Sequence, residues 1–78
     1  MKKYLNKGYN SGIVAYEHDG NKILVKFHDG WVYEYRRERI GDFDYDKMVQ
    51  LAEEGAGLNS YINRNRNVSK GFSNKFRA

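Results

Sequence analysis

Residues 22–35 read Lys-Ile-Leu-Val-Lys-Phe-His-Asp-Gly-Trp-Val-Tyr-Glu-Tyr, two alternating segments separated by a turn signal. Alternation at a period of two predicts β-strands, and Asp29-Gly30 between the segments predicts a hairpin. A three-residue loop at 28–30 sets Phe27 opposite Trp31, whereas a two-residue loop splits the apolar residues between the two faces. Loops of this length favour glycine in the left-handed region at their last position, where Gly30 stands. The predicted common face consists of Ile23, Val25, Phe27, Trp31, Tyr33 and Tyr35.

The segments on either side of this hairpin predict one further strand and two helices. Residues 12–18 are rich in β-forming residues, and the turn signal Asp19-Gly20-Asn21 joins them to the hairpin. Asp42 or Asp44 is predicted to cap the following helix, and Gly55 to end it in the left-handed region. A shorter helix is predicted from Leu58 to Arg64. The helical spacing predicts that the inward residues are Tyr45, Met48, Leu51, Ala52, Leu58, Tyr61 and Ile62.

These elements predict an α+β fold, a three-stranded antiparallel β-meander covered on one face by one or two C-terminal helices. We expect a short basic segment at 1–10, a single domain at 11–63, and a flexible basic tail at 64–78 that lacks any periodicity. The chain has no cysteine, which excludes disulfides, thiolate catalysis and cysteine-based zinc sites. It also has no apolar stretch of about 20 residues that could cross a membrane. We therefore expect a cytoplasmic, reducing location.

The charge is unevenly distributed along the chain. Residues 1–63 hold nine Lys/Arg and ten Asp/Glu, whereas residues 64–78 hold five Lys/Arg and no acid. Phe72 and Phe76 lie among these five cations, an arrangement that suits nucleic acid because cations neutralise phosphates and rings stack on bases. The same segment suits an acidic protein surface with the two rings as anchors, or a tail that only improves solubility. Membrane-surface binding is less favoured because the segment lacks amphipathic helical order.

The candidate catalytic and metal-binding residues have simpler structural explanations. His18-Asp19 and His28-Asp29 lie at opposite ends of the central strand, about 20 Å apart, which is too far for one ion to bridge. Asp42, Asp44 and Asp46 stand at a predicted helix start, where the helix dipole favours acids. The sequence contains neither a Gly-x-Ser-x-Gly elbow nor a phosphate-binding Gly-x-x-x-x-Gly-Lys loop. We expect no enzymatic activity, no cofactor, no metal and no small-molecule substrate.

Six short motifs follow one another between residues 11 and 63. They are Ser11-Gly12-Ile13, Leu24-Val25-Lys26-Phe27, Gly30, Tyr33-Glu34-Tyr35, Leu51-Ala52-Glu53-Glu54-Gly55 and Leu58-Asn59-Ser60-Tyr61-Ile62. Their order and spacing resemble the KTSC domain, a small module named for its occurrence at the C-terminus of some lysyl-tRNA synthetases. The resemblance implies the same fold, a stand-alone bacterial or phage protein, and RNA as the ligand. The chain departs from the family pattern at 36–39, where members tend to have an apolar Val-Pro entry to the helix, and in its basic tail.

The sequence thus predicts a small non-enzymatic binding module that contacts nucleic acid, with RNA favoured, through an Arg-rich loop and the basic tail. The alternative is a protein-binding factor, such as a phage-type inhibitor of a host nucleic-acid-processing or defence machine. Small size, mixed charge and the lack of a catalytic constellation suit both classes, and neither involves a membrane. The predicted contact residues are Arg36, Arg37, Arg39, Arg64, Arg66, Lys70, Phe72, Lys75, Phe76 and Arg77.

Overall fold

A computed structural model describes residues 1–8 and 11–77 as a five-stranded antiparallel sheet accompanied by four helices. The strands are β1 (Lys2–Lys3), β2 (Ile13–His18), β3 (Lys22–Phe27), β4 (Trp31–Arg36) and β5 (Asn74–Arg77). The helices are α1 (Arg37–Ile40), α2 (Asp42–Glu54), α3 (Leu58–Arg64) and α4 (Arg66–Ser69). The strands lie in chain order across the sheet, so that β1 and β5 form its two edges.

The β3–β4 hairpin has the register that the sequence predicts. Val25 faces Tyr33 and Ile23 faces Tyr35, as the three-residue loop requires. Gly30 adopts a φ of +93° and its N–H donates to the carbonyl of Phe27 at 2.9 Å. Glycine is favoured there because a side chain in this region would be strained.

The helices pack on the sheet face that carries these residues and form one hydrophobic core. Gly55 caps α2 at a φ of +76°, its N–H bonding to the carbonyls of Leu51 and Ala52, and α3 spans the predicted residues. Phe27, Tyr33 and Leu51 are only partly buried at the core margin. The buried apolar residues of this core are Tyr4, Ile13, Tyr16, Ile23, Val25, Tyr35, Ile40, Tyr45, Met48, Ala52, Leu58, Ile62 and Val68, and Val32 is buried outside it.

The expectation of three strands and an unstructured tail is wrong at both ends of the chain. Residues 66–69 form α4, whose Val68 is fully buried, and residues 74–77 form β5, which pairs with β4 through Val32 and Phe76. At the other end, β1 pairs with β2 and Tyr4 is buried in the core. Both added strands are short edge strands held by backbone hydrogen bonds, so they need no hydrophobic alternation of their own.

The predicted caps and the predicted Arg-rich loop also need correction. Gly41 precedes α2 at a φ of +92° and no side chain caps the helix, because α1 leads almost directly into α2. Asp44 instead accepts hydrogen bonds from Tyr61, Asn65 and Asn67, which ties the start of α2 to α3 and α4. The arginines at 36, 37 and 39 occupy the end of β4 and the short helix α1 rather than a loop.

Candidate functional site

The structure divides the ten predicted contact residues among three regions. The first region, at the end of β4 and in α1, holds Arg36, Arg37 and Arg39. The second, at α3 and α4, holds Arg64, Arg66 and Lys70. The third, from the end of α4 through β5, holds Phe72, Lys75, Phe76 and Arg77.

Acidic neighbours largely neutralise the first region. Arg36 bonds to Glu34 at 2.8 Å, and Arg37 contacts Asp42 at 3.0 Å and Asp46 at 3.1 Å. The hydrogen bond to Asp42 is the main cause that raises the pKa of Arg37. A phosphate would have to compete with these carboxylates for the guanidinium groups, so Arg36 and Arg37 are poor candidates for a nucleic-acid contact.

The second region borders a broad cleft of about 530 Å³ along α3 and the start of α4. Ser60, Arg64 and Arg66 line this cleft together with Tyr61 and Leu51. Neither arginine forms an ion pair within residues 1–8 and 11–77, and both are exposed. Their charges are therefore available to an anionic ligand.

The third region places two cations against the only tryptophan of the chain. Trp31 pairs with Arg77 and Tyr33 with Lys75, so all four side chains share the helix-covered face at its β5 margin. The Lys75 Nζ lies 4.7 Å from the centre of the Trp31 ring, and the Arg77 Cζ lies 5.1 Å from it. These distances are typical of cation–π contacts. We refer to the cluster formed by Trp31 of β4 with Lys75 and Arg77 of β5 as the β5 edge.

Sequence reasoning placed Trp31 on the common apolar face of the hairpin and missed its role in this cluster. Trp31 is only partly buried, because it opens β4 at the margin of the sheet. Its cationic neighbours belong to β5, whose position depends on a strand pairing that the sequence did not reveal. The alternation of Lys75, Phe76 and Arg77 is the sequence signal from which this strand could have been predicted, because it is compatible with a short strand that carries both cations on one face.

The two phenylalanines of the predicted tail lie on opposite faces of the sheet. Phe72 packs on the helix-covered face, with its ring centre 5.1 Å from that of Tyr33 and nearly perpendicular to it. Phe76 pairs with Val32 on the open face and remains 38% exposed. The two rings therefore cannot act together on one ligand strand.

A second cleft, of about 350 Å³, adjoins the β5 edge between the sheet and α3. Asp29 and Asn63, which are exposed, lie among its lining residues, and Asn59 and Ser69 add further polar groups. We call this the aromatic cleft because its walls include Phe27, Tyr33, Tyr35 and Phe72.

The residues weighed for metal binding have structural partners. His18 bonds to Glu53 at 2.8 Å, and Asp19 accepts the backbone N–H groups of Asn21 and Lys22 within its own turn. Among residues 1–8 and 11–77, no three His, Cys, Asp or Glu residues come together as potential metal ligands.

Comparison of the chain with protein-family models, with curated proteins and with solved structures gave no match. The resemblance to the KTSC domain therefore stays a prediction from the sequence motifs. Within the described part of the chain, no helix combines the length and the apolar character needed to span a membrane.

Proposed function

We propose that the chain is a non-enzymatic binding module that holds single-stranded nucleic acid along the β5 edge. The observation that carries the proposal is the placement of Lys75 and Arg77, from the acid-free end of the chain, beside the partly exposed Trp31. RNA is the preferred ligand because of the resemblance to the KTSC domain. A cytoplasmic location is part of the same proposal.

The chemistry of the β5 edge matches the two requirements of single-strand binding. Lysine and arginine neutralise backbone phosphates and release counterions, which supplies affinity without sequence preference. An aromatic face stacks on any base, and a neighbouring arginine adds a cation–π contribution. Arg64, Arg66 and Lys70 are exposed on the α3–α4 side and extend the positive surface beyond the sheet.

The test measures RNA affinity after neutralising the two β5 cations. Deleting residues 64–78 would remove the buried Val68 and the strand β5, which mixes a loss of packing with the loss of charge, so the suitable variant is Lys75→Gln with Arg77→Gln. The matched control is Lys3→Gln with Lys47→Gln, which removes the same charge from β1 and α2. Fluorescence anisotropy with labelled single-stranded RNA at three salt concentrations gives the affinity and its salt dependence.

We expect the β5 variant to bind more weakly and to depend less steeply on salt than the control. Each phosphate contact contributes about −0.7 to the slope of log K against log salt, so losing two contacts makes the slope shallower by about 1.4. The control should retain the original slope. Equal effects of the two variants, or no binding of the unaltered chain at about 10 µM protein and low salt, would reject the proposal.

A second candidate function, binding to a host protein, is supported by the sheet face opposite the helices. The strand register places Leu24 and Phe76 on that face; Leu24 is half-buried and Phe76 is exposed, whereas Val32 between them is fully buried. A phage-type inhibitor of a nucleic-acid-processing machine would bind its target through such a surface. A partner that remains bound after nuclease treatment, and is lost in Phe76→Ser, would favour this function over RNA binding.

A further inference from the structure

The aromatic cleft has walls suited to a flat, unsaturated ligand. The Phe27 and Phe72 rings each meet the Tyr33 ring edge to face, at centre distances of 5.5 and 5.1 Å and interplanar angles of 76° and 84°. The cleft volume, about 350 Å³, lies near the lower end of the range for ligand pockets, roughly 300–1,000 Å³. Mostly apolar walls with a few polar groups are the usual composition of such pockets.

Five polar side chains of the cleft form no hydrogen bond within residues 1–8 and 11–77, namely Tyr33, Tyr35, Asn59, Asn63 and Ser69. Asn59 and Asn63 lie one helical turn apart on α3 and both line the cleft. Tyr35 also lines it: the residue as a whole is only 2% exposed, but its hydroxyl oxygen is reached by solvent and forms no hydrogen bond to these residues. Burial raises the pKa of Tyr35, so its hydroxyl keeps its proton at neutral pH and can donate. Because these groups are open to solvent they bond water when no ligand is present, and a ligand that displaces the water must reproduce its hydrogen bonds to bind well.

The unpaired groups match the hydrogen-bonding edge of a nucleobase. An asparagine amide offers two N–H donors and one carbonyl acceptor, and a base edge carries donors and acceptors side by side. An aromatic side chain of a bound peptide could use the same walls, but a phenyl ring has no polar groups to replace water that it displaces from the two amides. A nucleobase can stack against the aromatic walls and hydrogen-bond to both amides at the same time.

The cations of the β5 edge reach the margin of this cleft. The Lys75 Nζ lies 5.4 Å from the centre of the Tyr33 ring, and the Arg77 guanidinium donates to the backbone carbonyl of Asp29 at 2.9 Å. Tyr33 and Asp29 both line the cleft. A phosphate held by these cations would therefore lie beside the base bound in the cleft.

From this arrangement we infer that the aromatic cleft binds a single unstacked nucleobase of the RNA strand that the β5 edge holds. The inference rests on the proposed function and adds a site that binds the base at one defined position of the RNA. Stacking and amide hydrogen bonds fix one base in the cleft, while Lys75 and Arg77 hold the adjacent phosphate. Single-stranded RNA is recognised in this way when its bases are splayed out and stacked on aromatic side chains.

The test uses the full chain and a set of short RNAs, each carrying one abasic nucleotide at a different position. Anisotropy with the unaltered protein should show one position at which loss of the base weakens binding about tenfold or more. The cleft variant is Asn59→Ala with Asn63→Ala, and Phe72→Leu is a second variant that retains most of the apolar volume. The matched control is Gln50→Ala, which removes an exposed amide on α2 that lines neither of the two clefts.

In both cleft variants we expect the intact RNA to bind more weakly while the abasic penalty at that position largely disappears. The salt slope should not change, because no charge has been removed, and Gln50→Ala should behave as the unaltered chain. Circular dichroism confirms that each variant is folded. Tight RNA binding that is insensitive to abasic substitution at every position would overturn the inference and leave the β5 edge as the sole site. No RNA binding by the unaltered chain would overturn both proposals.

Discussion

Replacing Val68 by alanine tests whether the segment after α3 belongs to the folded domain. Val68 is fully buried, and its replacement removes two carbon atoms from the core. The lost transfer free energy is about 1.6 kcal/mol at roughly 0.8 kcal/mol for each carbon. The residual cavity raises the expected loss in the free energy of unfolding to about 2–3 kcal/mol. For a domain of this size, that loss lowers the melting temperature by roughly 10–20 °C.

Val14 supplies the matched control, because the same substitution there affects a side chain that is 39% exposed. Surface changes of this kind usually alter the free energy of unfolding by about 0.5 kcal/mol or less. Calorimetry and urea denaturation of the two variants and the parent measure the difference directly. A Val68→Ala melting temperature within about 3 °C of that of Val14→Ala would show that α4 is not packed in solution, which would remove the basis for placing β5 on the sheet.

Two further substitutions probe the polar contacts that hold the helices. Asp44→Ala removes an acceptor shared by three side chains of α3 and α4 and should cost at least about 2 kcal/mol in urea denaturation. Asp46→Ala, which breaks one exposed ion pair, should cost about 0–1 kcal/mol, and equal losses would refute the assigned role of Asp44. The hydrogen bonds from His18 and Lys2 lower the pKa of Glu53 from about 4.5 to about 2, so its stabilising effect is complete above pH 4.5 and is lost as the pH falls to 2. Glu53→Gln should therefore melt below the parent at pH 6, with a difference that shrinks from pH 4.5 downward; a constant difference across this range would contradict the assignment.

The parts of the fold that the sequence predicted correctly are those in which burial and local geometry act together. The β3–β4 register followed from placing the apolar residues on one face together with the left-handed glycine, Gly30. The bounds of α3 and the cap at Gly55 followed from helical spacing and from the same property of glycine. In each case the residues that carry the sequence signal lie within a short stretch of chain.

The elements that were missed depend on partners distant in the sequence. Residues 74–77 form a strand because the backbone of β4 offers unpaired groups at the sheet edge, and their own side chains carry little hydrophobic signal. Asp44 looked like a helix cap, but α3 and α4 provide three donors that bind its carboxylate. The sequence predicted which charged residues belong to the candidate site but not how they are arranged. The contact between Trp31 and the cations exists only after β5 has paired with β4.

The position of β5 also has a consequence for the order of folding. The turn between β3 and β4 is three residues long, whereas residues 37–73 separate β4 from β5. Closing the longer connection costs roughly 2 kcal/mol more in chain entropy than closing the short turn. That cost falls once the intervening helices have collapsed onto the sheet, so we expect β5 to pair with β4 after the β3–β4 hairpin has formed. A chain in which β5 has not yet paired therefore exposes Trp31 without Lys75 and Arg77 beside it. The cation–π contacts of the β5 edge form only when β5 completes the sheet.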